Sequence, residues 1–193
     1  MRRDYHSAHY PEQPARRRYA HSSEYGVALA HDVAAGPLPS FYQACDVFYT
    51  DPPWRSGNVR FFDRAGVKPR PHESLMRELV AAVPDDVPAV FVIGKHANSH
   101  FGESFARYPV RLNEHDAVAY SRGVDLSGCA TAEEVGRLLA GRYACVGDPC
   151  CGYGNTAKWF VQAGKQYVVS DINPRCIGYI AEHESEWLNV LPE

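Results

Sequence analysis

With 193 residues the chain has room for one ordinary domain and is too short for two well-cored ones. A hydrophobic fraction of 45% beside 22% charged residues is that of a globular protein and excludes a disordered or fibrous one. No apolar run approaches the roughly 18 residues needed to cross a bilayer, and residues 1–18 are charged without an apolar stretch behind them, so no secretory leader is expected.

The six cysteines, Cys45, Cys129, Cys145, Cys150, Cys151 and Cys176, contain no Cys-x-x-Cys pair. They read as reduced thiols of a cytoplasmic protein. The formal charge of -3 argues against a protein that coats nucleic acid by bulk charge. A local basic patch remains compatible with it.

The charge is unevenly spread. Residues 1–24 carry five arginines against Asp4, Glu12 and Glu24, a net of +2, which leaves -5 for the remainder. This polar, aperiodic stretch reads as a loosely structured basic arm, ahead of one domain over residues 25–193. A second basic stretch, residues 55–71, holds Arg55, Arg60, Arg64, Lys68 and Arg70 against Asp63 alone, a net of +4. Its glycines and prolines predict an irregular loop, and Phe61 and Phe62 add aromatic surface. Such a loop is suited to contact phosphates.

In chain order, short apolar runs alternate with helical patterns. Strands are predicted at residues 27–31 and 46–50, then a helix over 71–83 and a buried strand over 89–94. A short helix over 98–107 and a hairpin over 109–122, turning at 113–116, come next. Thr131 and Glu134 form a capping-box pattern for a helix over 131–140. A strand over 143–147, a helix over 156–163, a strand over 166–170 and a proline-led helix over 174–187 complete the chain. Strands alternating with helices predict an α/β domain with a mostly parallel sheet.

Ligands of such sheets bind beyond the carboxyl ends of the strands. Asp32, Asp51, Asp148 and Asp171 all fall at predicted carboxyl ends. Asp148-Pro149-Cys150-Cys151-Gly152-Tyr153-Gly154-Asn155-Thr156 follows one strand and opens a helix. Gly152 and Gly154 allow a sharp turn and a close backbone approach to a ligand. The third glycine of a dinucleotide fingerprint is missing, so a pyrophosphate is not favoured. Asp171, 23 residues after Asp148, is placed to accept hydrogen bonds from ribose hydroxyls.

Asp51-Pro52-Pro53-Trp54 is the more specific signal. Consecutive prolines fix φ and donate no backbone hydrogen bond. The Asp51 carboxylate and the Pro52 carbonyl then form two acceptors in a rigid loop, with the flat face of Trp54 beside them. An exocyclic aromatic amine, with two donors on a flat ring, fits that arrangement.

These segments resemble the amino-methyltransferases that methylate adenine N6 or cytosine N4 in DNA. VFYTDPPW, then DPCCGYGNT, then SDINPRC follow the order of the circularly permuted β group of that family. The resemblance spans Asp32 to about His183. It implies a Rossmann-like sheet of about seven mostly parallel strands in permuted order, helices on both faces, and S-adenosyl-L-methionine as cofactor. It implies Asp51, Pro52, Pro53 and Trp54 as catalytic residues. The cofactor would be held by Asp32, Asp148, Pro149, Cys150, Gly152, Gly154, Asn155, Thr156, Asp171 and Asn173. Asp171 would take the ribose and Asp32, 19 residues before Asp51, the cofactor's adenine. Asp at the first motif position leans towards adenine over cytosine. Tyr153 replaces a small residue, where it would crowd the methionine end.

About 50 residues separate Gly94 from Asp148, which leaves no room for the separate target-recognition domain of many family members. Target contact then falls to residues 55–71, to the arm, or to a second copy in a homodimer. The implied partner is DNA, with RNA as the alternative substrate. A non-catalytic nucleic-acid-binding subunit is a third reading, disfavoured by the intact D-P-P-W. His96 and His100 are at i, i+4 spacing but have no recognisable third ligand, so no metal site is expected.

Overall fold

A computed structural model describes residues 16–53, 61–95 and 101–188. Eight strands form one mixed sheet: β1 (Ala20–Ser22), β2 (Gly26–Ala30), β3 (Val47–Thr50), β4 (Ala89–Gly94), β5 (Ala106–Leu112), β6 (His115–Arg122), β7 (Cys145–Asp148) and β8 (Gln166–Asp171). Their order across the sheet is β1-β2-β8-β7-β3-β4-β6-β5. The five strands from β2 to β4 are mutually parallel, while β1, and β6 with β5, add antiparallel edges.

The parallel strands are apolar on both faces, as burial from both sides demands. Val47 and Tyr49 of β3 enter one core cluster and Phe48 between them the other. Val90 and Val92 of β4 alternate in the same way with Phe91 and Ile93. Helices α2 (Ala132–Arg142), α3 (Asn155–Gln162) and α4 (Pro174–Trp187) cover the first face through Val135, Leu139, Phe160, Ile177 and Ile180. Helix α1 (His72–Ala82) and the 3-10 turns at Val33–Ala35 and Ser40–Ala44 cover the second through Leu75, Met76, Leu79, Val33 and Tyr42.

The expected α/β fold, with helices on both faces of a mostly parallel sheet, is observed, with one strand more than the seven anticipated. The capping box at Thr131 and Glu134 is formed in both directions. Pro174 opens α4, where its missing N–H costs no hydrogen bond.

Three readings are corrected. The described part of residues 98–107 is not helical, because Ala106 onward belongs to β5, with Tyr108, Val110 and Leu112 facing inward in alternation. Part of the basic arm is ordered into the sheet: β1 pairs antiparallel with β2, and the Arg18 amide donates to the Pro174 carbonyl. Its polar face is satisfied by Glu184, which accepts from Ser23 at 2.8 Å, bonds His21 at 2.9 Å and accepts from the Tyr167 hydroxyl. The basic stretch is also partly regular, since residues 61–65 are helical and Phe62 is buried with α1. Burial of one aromatic ring there outweighs the helix-breaking composition. No helix among the described residues is long and apolar enough to cross a membrane.

Candidate active site at the carboxyl edge of the sheet

Parallel pairing in register brings four carboxylates to one edge. Asp148 and Asp171 end the neighbouring strands β7 and β8. Asp51 follows β3, the neighbour of β7 on its other side, and Asp32 lies two residues beyond β2, the neighbour of β8. The strand order places the Asp51 loop and the Asp148 loop side by side although 97 residues separate them in sequence.

Each acid has its own environment. Asp148 is fully buried, and its oxygens accept from the Cys150 amide at 3.0 Å and the Thr156 hydroxyl at 2.7 Å. Burial pushes its carboxyl up to about 7, with Asp171 adding to the rise and those hydrogen bonds opposing it. Asp171 accepts from the Gly152 amide at 3.0 Å and the Asn173 amide at 2.8 Å, and burial again raises it. Asp51 stands well above the ordinary carboxylate range, first through burial and then through Asp148, with Asp171 adding less. The three charges therefore act on one another. Cys150 lies among them: burial and then Asp171, Asp148 and Asp51 raise its thiol.

The loop after β7 is built by these acids. Gly154 has φ 83, and a Cβ there would stand 2.8 Å from Ile180 Cγ1, so the turn into α3 requires glycine. Gly152 has φ 51, and a Cβ on it would meet nothing within 4 Å among the described residues, which leaves open space beside its Cα. Pro149 is buried, Asn155 is exposed at the start of α3, and Asn173 caps α4 by accepting from the Arg175 amide at 3.1 Å. Asn173 thus acts on α4 and Asp171 together. The Tyr153 ring packs edge-on against Tyr179 at 5.1 Å, and Tyr179 stacks on His183.

Pro52 is buried and Pro53 half-buried, while Trp54, Arg55, Arg60, His96 and His100 lie outside the described residues. Arg64 and Lys68 are exposed. The Arg64 charge reaches the site, since it opposes the rise of Tyr153, which burial pushes up to about 12. Arg70 does not stand with them. It is half-buried and pairs with Asp32 at 2.6 Å and with Glu78 at 3.5 Å.

Sequence reasoning missed Tyr42. Its buried hydroxyl donates to the Asp148 carbonyl at 3.1 Å and bonds Ser170 Oγ at 2.8 Å, bracing β7 and β8 below their acids. A tyrosine in a 3-10 turn, more than a hundred residues from its partners, leaves no local signal. Among the described residues the buried Tyr49 Oη, at the end of β3 next to Asp51, has no hydrogen-bond partner, and a buried polar atom of this kind calls for water or a ligand. The neighbouring Thr50 hydroxyl acts on Asp148 and Cys150 and opposes the rise of both.

The chain therefore has a Rossmann-like mixed α/β fold with an acid-lined site at its carboxyl edge. The crystal structure of a candidate DNA modification methylase from Thermus thermophilus shares that fold, with a TM-score of 0.50 at 15% identity over 81% of this chain and 91% of that one. The same protein complexed with S-adenosyl-L-methionine aligns with a TM-score of 0.48 at 12% identity, over 80% of this chain and 89% of that one. M1.HpyAVI aligns at 0.47 and 12% identity, over 78% of this chain and 92% of that one. No family model and no curated protein matches the chain.

Proposed function

We propose that this protein is an S-adenosylmethionine-dependent methyltransferase acting on the exocyclic amine of a nucleic-acid base, adenine N6 in DNA. The observation that carries this reading is the meeting of Asp51, Asp148 and Asp171 at the ends of three adjacent parallel strands. The acids suit a cationic ligand that bears ribose hydroxyls, and the open space at Gly152 admits its close approach. The strand order, with the Asp51 motif before the cofactor loop, supports a circularly permuted member of the class.

When bound, the cofactor supplies a methyl group on a sulfonium, which is transferred in line. Everything else falls to the chain. Asp171 offers its remaining acceptor positions to the ribose, and its bonds to Gly152 and Asn173 fix its orientation. Asp148, fully buried, holds the loop through Cys150 and Thr156. The Asp51 carboxylate and the Pro52 carbonyl accept the two amine N–H groups. That pair favours a pyramidal nitrogen with its lone pair aimed at the methyl carbon, so positioning does most of the catalysis. Asp51, held above the usual carboxylate range, is suited to take the proton that the methylated nitrogen sheds. The target base leaves the duplex to reach this edge, with Trp54 as its stacking face.

Incubation with tritiated cofactor and either DNA or RNA, followed by mass spectrometry of the nucleosides, tests the reading. N6-methyladenine in DNA is expected. Label in RNA alone would move the substrate, and label in neither would overturn the enzyme.

A further inference from the structure

Arg70 is the last cation of a stretch whose composition suits phosphate contact, yet its environment is that of a half-buried strut. Pro69 and Pro71 flank it, so the backbone on both sides is stiff, and Pro71 leads directly into α1. Its Nη2 donates to Asp32 Oδ2 at 2.6 Å, and its Nη1 forms an ion pair with Glu78 Oε2 of α1 at 3.5 Å. Glu78 is itself held by the Ser74 hydroxyl at 3.1 Å. The other oxygen of Asp32 accepts from the Ala34 amide at 3.0 Å. The Asp32 carboxylate is therefore gripped from two sides, and one strand away Asp171 receives the next contact of the same edge. A single guanidinium serving two carboxylates in a half-buried setting is a fork that lysine cannot reproduce fully.

We infer that Arg70 is a positioning residue for the cofactor's adenine, acting through Asp32, and is not a phosphate contact. The inference rests on the reading given under Proposed function and on the assignment of Asp32 to the cofactor's adenine that the family resemblance implies. Fixed by Arg70 and the Ala34 amide, Asp32 keeps its unused lone pairs in one place, where they accept from the exocyclic amine of an adenine ring. Without Arg70 the carboxylate rotates and is repelled by Glu78, and that acceptor position is lost.

The test measures binding and needs no turnover. Calorimetric titration would compare S-adenosylhomocysteine with S-inosylhomocysteine, whose ring carries an oxo group in place of the amine, on wild type, Arg70→Ala and Arg70→Lys. Thermal melting would confirm that each variant is folded. Expected is a loss of about tenfold for Arg70→Ala with the adenosyl ligand, little loss with the inosyl ligand, and partial rescue by Arg70→Lys. Equal losses for both ligands, or none, would overturn the role of Arg70. The salt dependence of DNA binding supplies the second arm: an unchanged slope in Arg70→Ala is expected, and a slope reduced by about one unit would make it a phosphate contact. If wild type binds neither ligand, the proposed function fails first and this inference with it.

Discussion

The Thr156 hydroxyl donates to Asp148 Oδ2 at 2.7 Å, so the first helical turn of α3 is fastened to the strand that precedes its loop. Both residues are buried, and the eight-residue step between them encloses the whole loop between β7 and α3. Thr156→Val keeps the shape and removes the donor. One oxygen of a buried carboxylate is then left without its partner, which costs about 1–3 kcal/mol. Urea denaturation should show that loss, and weaker binding of S-adenosylhomocysteine should accompany it. A variant as stable as wild type would show that the clamp does not hold the loop.

The same carboxylate makes stability depend on pH. Asp148 titrates near 7 in the fold against an ordinary carboxylate value of 3.8, so between those values the folded state holds a proton that the unfolded chain has released. Unfolding free energy therefore falls as pH rises from about 4 to about 7 and levels off above. Asp148→Asn should remove that one carboxyl's share of the slope and leave the share of the raised Asp51 and Asp171, which denaturation midpoints between about pH 4 and 8 would reveal. A cationic ligand favours the ionised form. Binding of S-adenosylmethionine near neutral pH should accordingly release more protons than binding of uncharged-sulfur S-adenosylhomocysteine, as calorimetry in buffers of different ionisation enthalpy would report.

Asp51→Ala should abolish methyl transfer and leave S-adenosylhomocysteine binding nearly unchanged. The residue is assigned to the target amine, and losing a hydrogen bond made in the transition state costs about 10²-fold or more. Its removal also relieves its mutual repulsion with Asp148, so binding of the analogue, whose sulfur is uncharged, has no reason to weaken. Turnover at the wild-type rate would remove Asp51 from the mechanism.

Asp171→Ala should have the converse signature, a weaker complex with S-adenosylhomocysteine whatever the nucleic acid. Two charge-assisted hydrogen bonds to the ribose are at stake, each on the order of 1.5–3 kcal/mol. The structure adds a second cost, because the Gly152 and Asn173 amides lose their acceptor. Asp171→Asn keeps one carbonyl acceptor and should fall between wild type and Ala. Equal dissociation constants for all three would place the ribose elsewhere.

Much of the fold was legible because its signals are local. Ala89–Gly94 is a continuous apolar run bounded by turn residues, and the sequence expectation coincides with the observed strand. The capping box and Pro174 mark helix starts through one or two side chains. The carboxyl-end acids were legible as a pattern, since each follows a recognisable strand. What escaped depends on partners distant in sequence. Ala-His-Ser of β1 has no strand composition and pairs because Glu184, 163 residues beyond His21, satisfies its polar groups. Tyr42 and the Arg70–Asp32 pair carry no pattern at all. The charge of residues 55–71 was read correctly as a sum but not as a distribution, because composition cannot tell a strut from an exposed cation.

That distinction fixes how nucleic-acid contact should be tested. Removing residues 1–24 would delete β1, the Arg18–Pro174 hydrogen bond and the partners of Glu184, leaving a buried carboxylate beside Tyr167. Such a variant would bind poorly because it is damaged. Deleting residues 1–15 alone leaves every one of those contacts in place. Within the basic stretch Arg64 and Lys68 are exposed, and Arg64 lies close enough to Tyr153 and Cys176 for its charge to act on both. A phosphate at Arg64 would therefore sit beside the loop that follows β7, where the proposed reaction would have a flipped base enter. Each phosphate neutralised contributes about -0.9 to the slope of log affinity against log salt on duplex DNA. Arg64→Gln with Lys68→Gln should flatten that slope by about two units and weaken DNA binding. If the slope is the same before and after, the phosphate backbone is met on another surface.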